Sequence, residues 1–187
     1  MNLTRATKLA ERIKGELQEW CDLIEIAGSV RRQRPECNDV DLVILPKAGA
    51  MHAIRERCLR NGTVVLDGAQ NFIVKLNGWG SEPDGFQVDL FIARQPMSGL
   101  FESTPTNFGS LLLCRTGSKE HNIFMIDQAK RCGCRWNPYE GVYSGGRWEH
   151  VGEKSEYIGG KLTASETEGS IFKALGMEFV APDRREK

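Results

Sequence analysis

No stretch of the 187-residue sequence approaches the ~18 consecutive apolar residues that a membrane-spanning helix needs, which excludes a helical membrane protein. The opening residues, MNLTRATKLAERIKGELQEW, lack the apolar run of a secretory leader and are charged and periodic instead. Net charge is missing as well. The 25 Lys and Arg residues balance 25 Asp and Glu, so the chain as a whole exerts no general pull on phosphate. Histidine is scarce, and His52 and His150 have no partners at metal-ligand spacing. The 6 cysteines are scattered through a chain long enough to build a core, so reduced thiols in a cytoplasm are expected rather than a disulfide framework. Cys132 and Cys134 have no second pair at zinc spacing. There is no internal repeat and no low-complexity linker. At 40% hydrophobic and 27% charged, what remains is a globular chain of one domain or two small subdomains.

Periodicity predicts the elements. Leu9, Ile13, Leu17 and Trp20 recur at helical spacing over Leu3 to Trp20, with Thr4 available as a cap. Strands are predicted over Leu23 to Ala27 and Val40 to Leu45, then a helix over Ala48 to Leu59 stopped by Asn61-Gly62. Thr63 to Leu66, Asn71 to Leu76 and Phe86 to Ala93 read as further strands. Past Pro105 the pattern changes, with helices over Phe108 to Cys114 and Ser118 to Arg131. Short strands follow at Arg135 to Trp136, Val142 to Tyr143 and Arg147 to His150, and a last helix at Glu166 to Leu175. The expected fold class is α+β: a mixed sheet with helices on one face over residues 1–104, then a smaller α+β piece over 105–187.

The chemistry concentrates in GSVRRQRPECNDVDLVIL, Gly28 to Leu45. Asp39 and Asp41 are two apart on a predicted strand, so both side chains leave the same face, ~6.5 Å apart along it. Asp is disfavoured in strands, and like charges sharing a face repel unless a cation lies between them. Carboxylate oxygens select Mg²⁺ or Mn²⁺ over zinc. A third acid, Asp89, sits mid-strand in FQVDLFIA, where an isolated charge is costly without a partner. A lone D-x-D is ordinarily a solvated edge or turn, and Gly-Ser turns are common. The combination is more specific: a strand running into Gly28-Ser29 and then Arg31-Arg32 brings backbone N–H groups, a hydroxyl and guanidinium forks together as a phosphate cradle.

With this spacing the chain resembles the nucleotidyltransferase superfamily of the DNA polymerase beta type, whose signature is G-S-x-R-R followed by D-x-D. TGSKEHN at Thr116 to Asn122, with Gly133, Asn137, Tyr139 and Gly141 beyond it, is similar to the thumb of family X DNA polymerases, as is the ending ALGMEFVAPDRRE. The resemblance implies a nucleotidyltransferase palm over 1–104 and a thumb over 105–187, with no lyase or fingers domain, as in a minimal viral or phage form. It also implies that Asp39, Asp41 and Asp89 hold two Mg²⁺ ions (Mn²⁺ substituting) and that Asp89 lies beside the primer hydroxyl as proton acceptor. Gly28, Ser29, Arg32 and Asn38 match positions at the phosphates of the dNTP, Thr116 and Gly117 the turn under its sugar, and Lys119 and Asn122 positions beside its base.

The implied activity is template-directed addition of dNTPs to a primer 3′-hydroxyl on gapped or primed DNA. It would be short-gap filling in repair by a distributive monomer in a bacterial or host cytoplasm, with no membrane partner. Three departures stand out. Cys114-Arg115 replaces the aromatic pair that excludes a ribose 2′-hydroxyl, Gln87 stands where an arginine often precedes the third Asp, and Ile126 replaces an arginine that checks the template strand. Ile126 keeps low fidelity in play, and Cys114-Arg115 with Ile126 keep in play a template-independent nucleotidyltransferase acting on nucleic-acid ends or a protein. A non-catalytic binding relic is a third reading, although a relic would be expected to lose its metal ligands first. His121 is expected to make a satisfied polar contact, and Trp79, Trp136 and Trp148 to pack. Lys130, Arg131, Arg135 and Lys161 are candidate phosphate contacts.

Overall fold

Asn2 opens the first helix, its side chain accepting from the Arg5 backbone N–H, so the cap falls two residues ahead of the expected Thr4. The computed structural model describes residues 1–77, 85–99, 103–152 and 154–186. They divide into two compact units, Met1–Gln95 and Pro96–Lys187. Trp79 lies outside the described residues.

In the first unit, α1 (Leu3–Leu17) turns Ala6, Leu9, Ala10, Ile13 and Leu17 inward at the i, i+3, i+4, i+7 spacing of one helical face. The expected helix to Trp20 finishes as a 3₁₀ turn, Gln18–Trp20, and β1 (Cys21–Ile26) begins ahead of Leu23. A single turn, α2 (Gly28–Arg31), leads to β2 (Asp39–Pro46), then α3 (Met51–Leu59), β3 (Gly62–Asp67), β4 (Asn71–Leu76) and β5 (Gln87–Ile92). The five strands form one mixed sheet in the order β1-β2-β5-β4-β3. Only β2 and β5 pair in parallel; the other pairs are antiparallel. One face carries Val40, Leu42, Ile44, Val88, Leu90, Phe72, Val74 and Leu76, all essentially sealed from solvent in a cluster shared with α1 and α3. That burial is the main source of stability for the unit, at roughly 1.5–3 kcal/mol per large aliphatic side chain. Alternation then sends Asp39, Asp41, Gln87 and Asp89 to the opposite face.

In the second unit, β6 (Met97–Ser98) and β7 (Ser103–Thr104) form a two-stranded ribbon not expected from the sequence. Helices α4 (Phe108–Thr116) and α5 (Lys119–Arg131) follow, then β8 (Arg135–Asn137), β9 (Gly141–Val151), β10 (Lys154–Ala164) and α6 (Glu168–Ala174). The core gathers Leu113, Met125, Ala129, Trp136, Val142, Ile171, Phe172 and Leu175. The two short strands expected at Val142–Tyr143 and Arg147–His150 are one 11-residue strand, and the polar stretch after it is its 11-residue antiparallel partner. Gly145, Gly146, Gly159 and Gly160 interrupt the alternation that would have marked the hairpin, and Gly146 pairs with Gly159. Thr167 caps α6 through a reciprocal bond pair with Ser170, so that helix starts later than Glu166. Among the described residues no helix is long and apolar enough to cross a membrane.

Candidate nucleotide and metal site

On the open face of the first sheet, Asp41 stands beside Asp89, and Asp39 beside Gln87, in the parallel register of β2 and β5. Paired residues on neighbouring strands lie about 4.8 Å apart and point the same way, so the three acids and one amide form a square block. All four are half-buried. Gln87 Nε2 donates to Asp89 Oδ1 at 2.8 Å, an interaction within one strand that spacing alone did not single out.

The turn before β2 is pinned to the same place. Ala27 N–H donates to the Asp41 carbonyl at 2.8 Å. Gly28 has a φ of +59°, and a Cβ built on it would stand 1.8 Å from Asp41 Oδ2. Only glycine allows the carboxylate to lie against this turn. Next to it, Ser29 Oγ is buried with no hydrogen-bond partner, which is uncommon for a hydroxyl and leaves it able to donate to an oxyanion. Arg31 and Arg32 are half-buried and Asn38 is exposed just ahead of Asp39. Gly28 thus lies against Asp41, and Asp41 stands beside Asp89.

The donor set of three half-buried carboxylates suits a hard divalent cation in kind and in placement. As the side chains stand, however, no group of three or more His, Cys, Asp or Glu among the described residues forms a cage for a metal ion. Closing one requires side-chain rotation on a backbone that already shares the face. A cleft of about 370 Å³ lined by Leu3, Thr7, Lys14, Glu25 and Arg31 includes none of the three acids.

In the second unit, α4 ends at the buried Thr116, and Gly117, with φ +71°, turns the chain into α5 through a cis Gly117–Ser118 peptide. Ser118 caps α5 by accepting from His121 N–H, and its own N–H donates to the Arg185 carbonyl at 3.3 Å. Lys119 is exposed on the first turn of α5. Asn122 Nδ2 donates to the Cys114 carbonyl at 2.8 Å, so in this conformation its amide hydrogen faces the protein; its Oδ1 is buried without a hydrogen-bond partner. Arg115 Nη2 donates to Tyr139 Oη at 2.6 Å, with the guanidinium 5.4 Å from the ring centre. Ile126 packs against the core of this unit.

Several expectations change. His121 makes no polar contact through Nε2; it is buried against Phe124 and Phe172. Burial, with the Arg185 charge adding to it, pulls its pKa down to about 4. Arg185, part of the closing ALGMEFVAPDRRE segment, is fully buried, pairs with the buried Glu168 at 2.7 Å and stacks on Phe172 and Phe179. A charged pair so deep in an apolar cluster has no period in the sequence to betray it. Lys130 lies over the Trp148 ring and Arg135 over Tyr143, so these two cations are engaged within the protein; Arg131 and Lys161 are exposed. Trp136 packs as expected, 4% exposed, its indole N–H donating to Ser110 Oγ.

Residues 111–186, all within the second unit, match the family model of the DNA polymerase beta thumb, which supports a relationship to the polymerase beta-like enzymes and a DNA-binding, polymerase-like role. A comparison with curated proteins found no match.

Proposed function

Starting from a second unit that matches a DNA polymerase beta thumb, we propose that the protein is a metal-dependent, template-directed DNA nucleotidyltransferase that adds dNTPs to a primer 3′-hydroxyl in short gaps. The observation that carries the reading is the β2–β5 register, which sets Asp41 beside Asp89 on the open sheet face, with Asp41 also against the Gly28 turn. Asp39 and Asp41 would hold two Mg²⁺ ions, and Asp89 one of them. When bound, the ions supply charge neutralisation for in-line attack of the 3′-hydroxyl on the α-phosphorus. Asp89 would take the hydroxyl proton. Ser29 Oγ donates to a phosphate oxygen, and Arg32 adds a guanidinium fork. Thr116 and Gly117 are assigned to the sugar, and Lys119 and Asn122 to the base. Asn122 must release the Cys114 carbonyl before its amide can reach a minor-groove acceptor.

A second reading, template-independent nucleotidyl transfer, is favoured by one observation: Ile126, which stands where the resembled family carries a template-checking arginine, is an apolar side chain packed into its own unit. One experiment separates the two. Single nucleotides, deoxy and ribo, are offered with Mg²⁺ on a gapped duplex and on a single strand. Template direction gives incorporation only of the nucleotide complementary to the gap. Indifference to the template base establishes the second reading. Asp41→Ala should reduce incorporation by about 10³-fold or more, the several kcal/mol expected for losing a shared metal ligand. Wild-type turnover in that variant would remove the metal site from the reading.

A further inference from the structure

We propose that Gln87 is a positioning residue for Asp89, anchoring the carboxylate among like charges without cancelling any of them. The inference rests on the reading of Asp39, Asp41 and Asp89 as metal ligands. In the β2–β5 register Gln87 occupies the fourth corner of the block, beside Asp39 and on the same face as the three acids. Three carboxylates on adjacent strand positions repel one another, and each is half-buried, so a bond to one of them limits how far it can turn away from the other two. The Gln87 amide donates to Asp89 Oδ1 at 2.8 Å, a bond strengthened by the charge of its acceptor.

The platform for this bond is rigid. β5 is paired on both sides, to β2 and to β4, so the backbone beneath Gln87 and Asp89 is held by two ladders. The amide is also neutral. It limits the rotation of Asp89 without adding a positive charge of its own to the block. Because the three acids do not converge into a cage in this structure, binding has to order their side chains. Fixing one of them beforehand lowers that ordering cost. Groups that orient a metal ligand in this way usually alter affinity or activity by about 10–100-fold when removed.

The test uses the full chain with Mn²⁺ as probe, its binding followed by electron paramagnetic resonance without nucleotide, and single-nucleotide kinetics on gapped DNA. Gln87→Met and Gln87→Leu keep the bulk and remove the donor. Both should bind Mn²⁺ about tenfold more weakly and lose kcat, with KM for the nucleotide little changed. Thermal melting sets a temperature at which every variant is folded. Gln87→Arg restores a donor but adds positive charge. It should recover kcat at saturating Mn²⁺ while binding Mn²⁺ more weakly than wild type. Wild-type Mn²⁺ affinity and kcat in both donor-free variants, alongside loss of both in Asp89→Ala, would overturn the role of Gln87 and leave the metal site standing. Failure of Gln87→Arg to recover kcat would reduce Gln87 to packing and likewise overturn it. Wild-type behaviour in Asp89→Ala would instead overturn the metal reading itself.

Discussion

At the Gly28 turn a Cβ would stand 1.8 Å from the Asp41 carboxylate oxygen and 3.0 Å from its Cβ, and the backbone φ there is +59°. Gly28→Ala therefore has to displace Asp41 and strain the turn together, at about 1–3 kcal/mol. The expected result is a lower Tm with a larger fractional loss of activity than of stability, measured by melting and by incorporation in parallel. Its neighbour behaves in the opposite sense. Ser29 Oγ is buried with no partner, so in the free protein the hydroxyl contributes little to folding. Ser29→Ala should leave Tm unchanged or raise it slightly while weakening nucleotide binding by about tenfold, the worth of one hydrogen bond to a charged acceptor. Equal nucleotide affinity in the variant would show that Ser29 does not touch phosphate. The Gly-Ser pair was legible in the sequence because glycine and a small hydroxyl in a turn announce themselves. Gln87 was legible only as a departure, since nothing in a glutamine's identity says which neighbour its amide meets.

The strands and helices of the first unit follow from period. Asp39 and Asp41 fall on the open face because Val40 and Leu42 between and beyond them are driven into the core. In the second unit the start of α5 depends on the far end of the chain. Ser118 caps the helix while its N–H reaches the Arg185 carbonyl, and Arg185 in turn neutralises the buried Glu168. His121 lies under this arrangement, against Phe124 and Phe172, with Arg185 opposing and Glu168 favouring its protonation. Its pKa is about 4 in the folded protein against an ordinary 6.5 when unfolded, so between these values the unfolded chain binds the additional proton. Stability from this group is complete above pH 6.5 and is lost as pH falls through 4, by about 3 kcal/mol at the limit. Denaturant midpoints measured over that range should drop in the wild type and drop less in His121→Phe. A parallel decline in both would assign the effect to other groups. The β9–β10 hairpin escaped the sequence because strand pairing, not alternation, holds its glycine-broken middle.

Across the whole molecule 25 basic and 25 acidic residues cancel. Lys130 and Arg135 are drawn onto aromatic rings of their own unit, and Lys14, Arg55 and Arg57 are paired with acids. Those five cations are held within the protein, and a chain without net charge exerts no general pull on phosphate. Binding to a gapped duplex should be weak, with a log–log salt slope shallower than about −5, the value for five or six phosphate contacts. Products should grow one short step per encounter. Titration of a labelled duplex between low and moderate salt measures the slope, and a steep slope with long processive products would contradict it. The division into Met1–Gln95 and Pro96–Lys187 places the acids in one unit and the thumb-matching segment in the other.

Local sequence was enough to specify the helix–strand order of the first unit, the shared face of Asp39 and Asp41 and the glycine turn before them, because each depends on periods and propensities acting over a few residues. The T-G-S turn and its helix were equally readable. Tertiary structure alone decided that Asp89 stands beside Asp41, since strand register is set by packing of the whole sheet. It also decided that Gln87 holds Asp89, that Arg115 stacks on Tyr139, and that Arg185 sits beneath the T-G-S turn. Those partners are far apart in the chain or hidden by side-chain direction, and only burial and pairing bring them within hydrogen-bond reach.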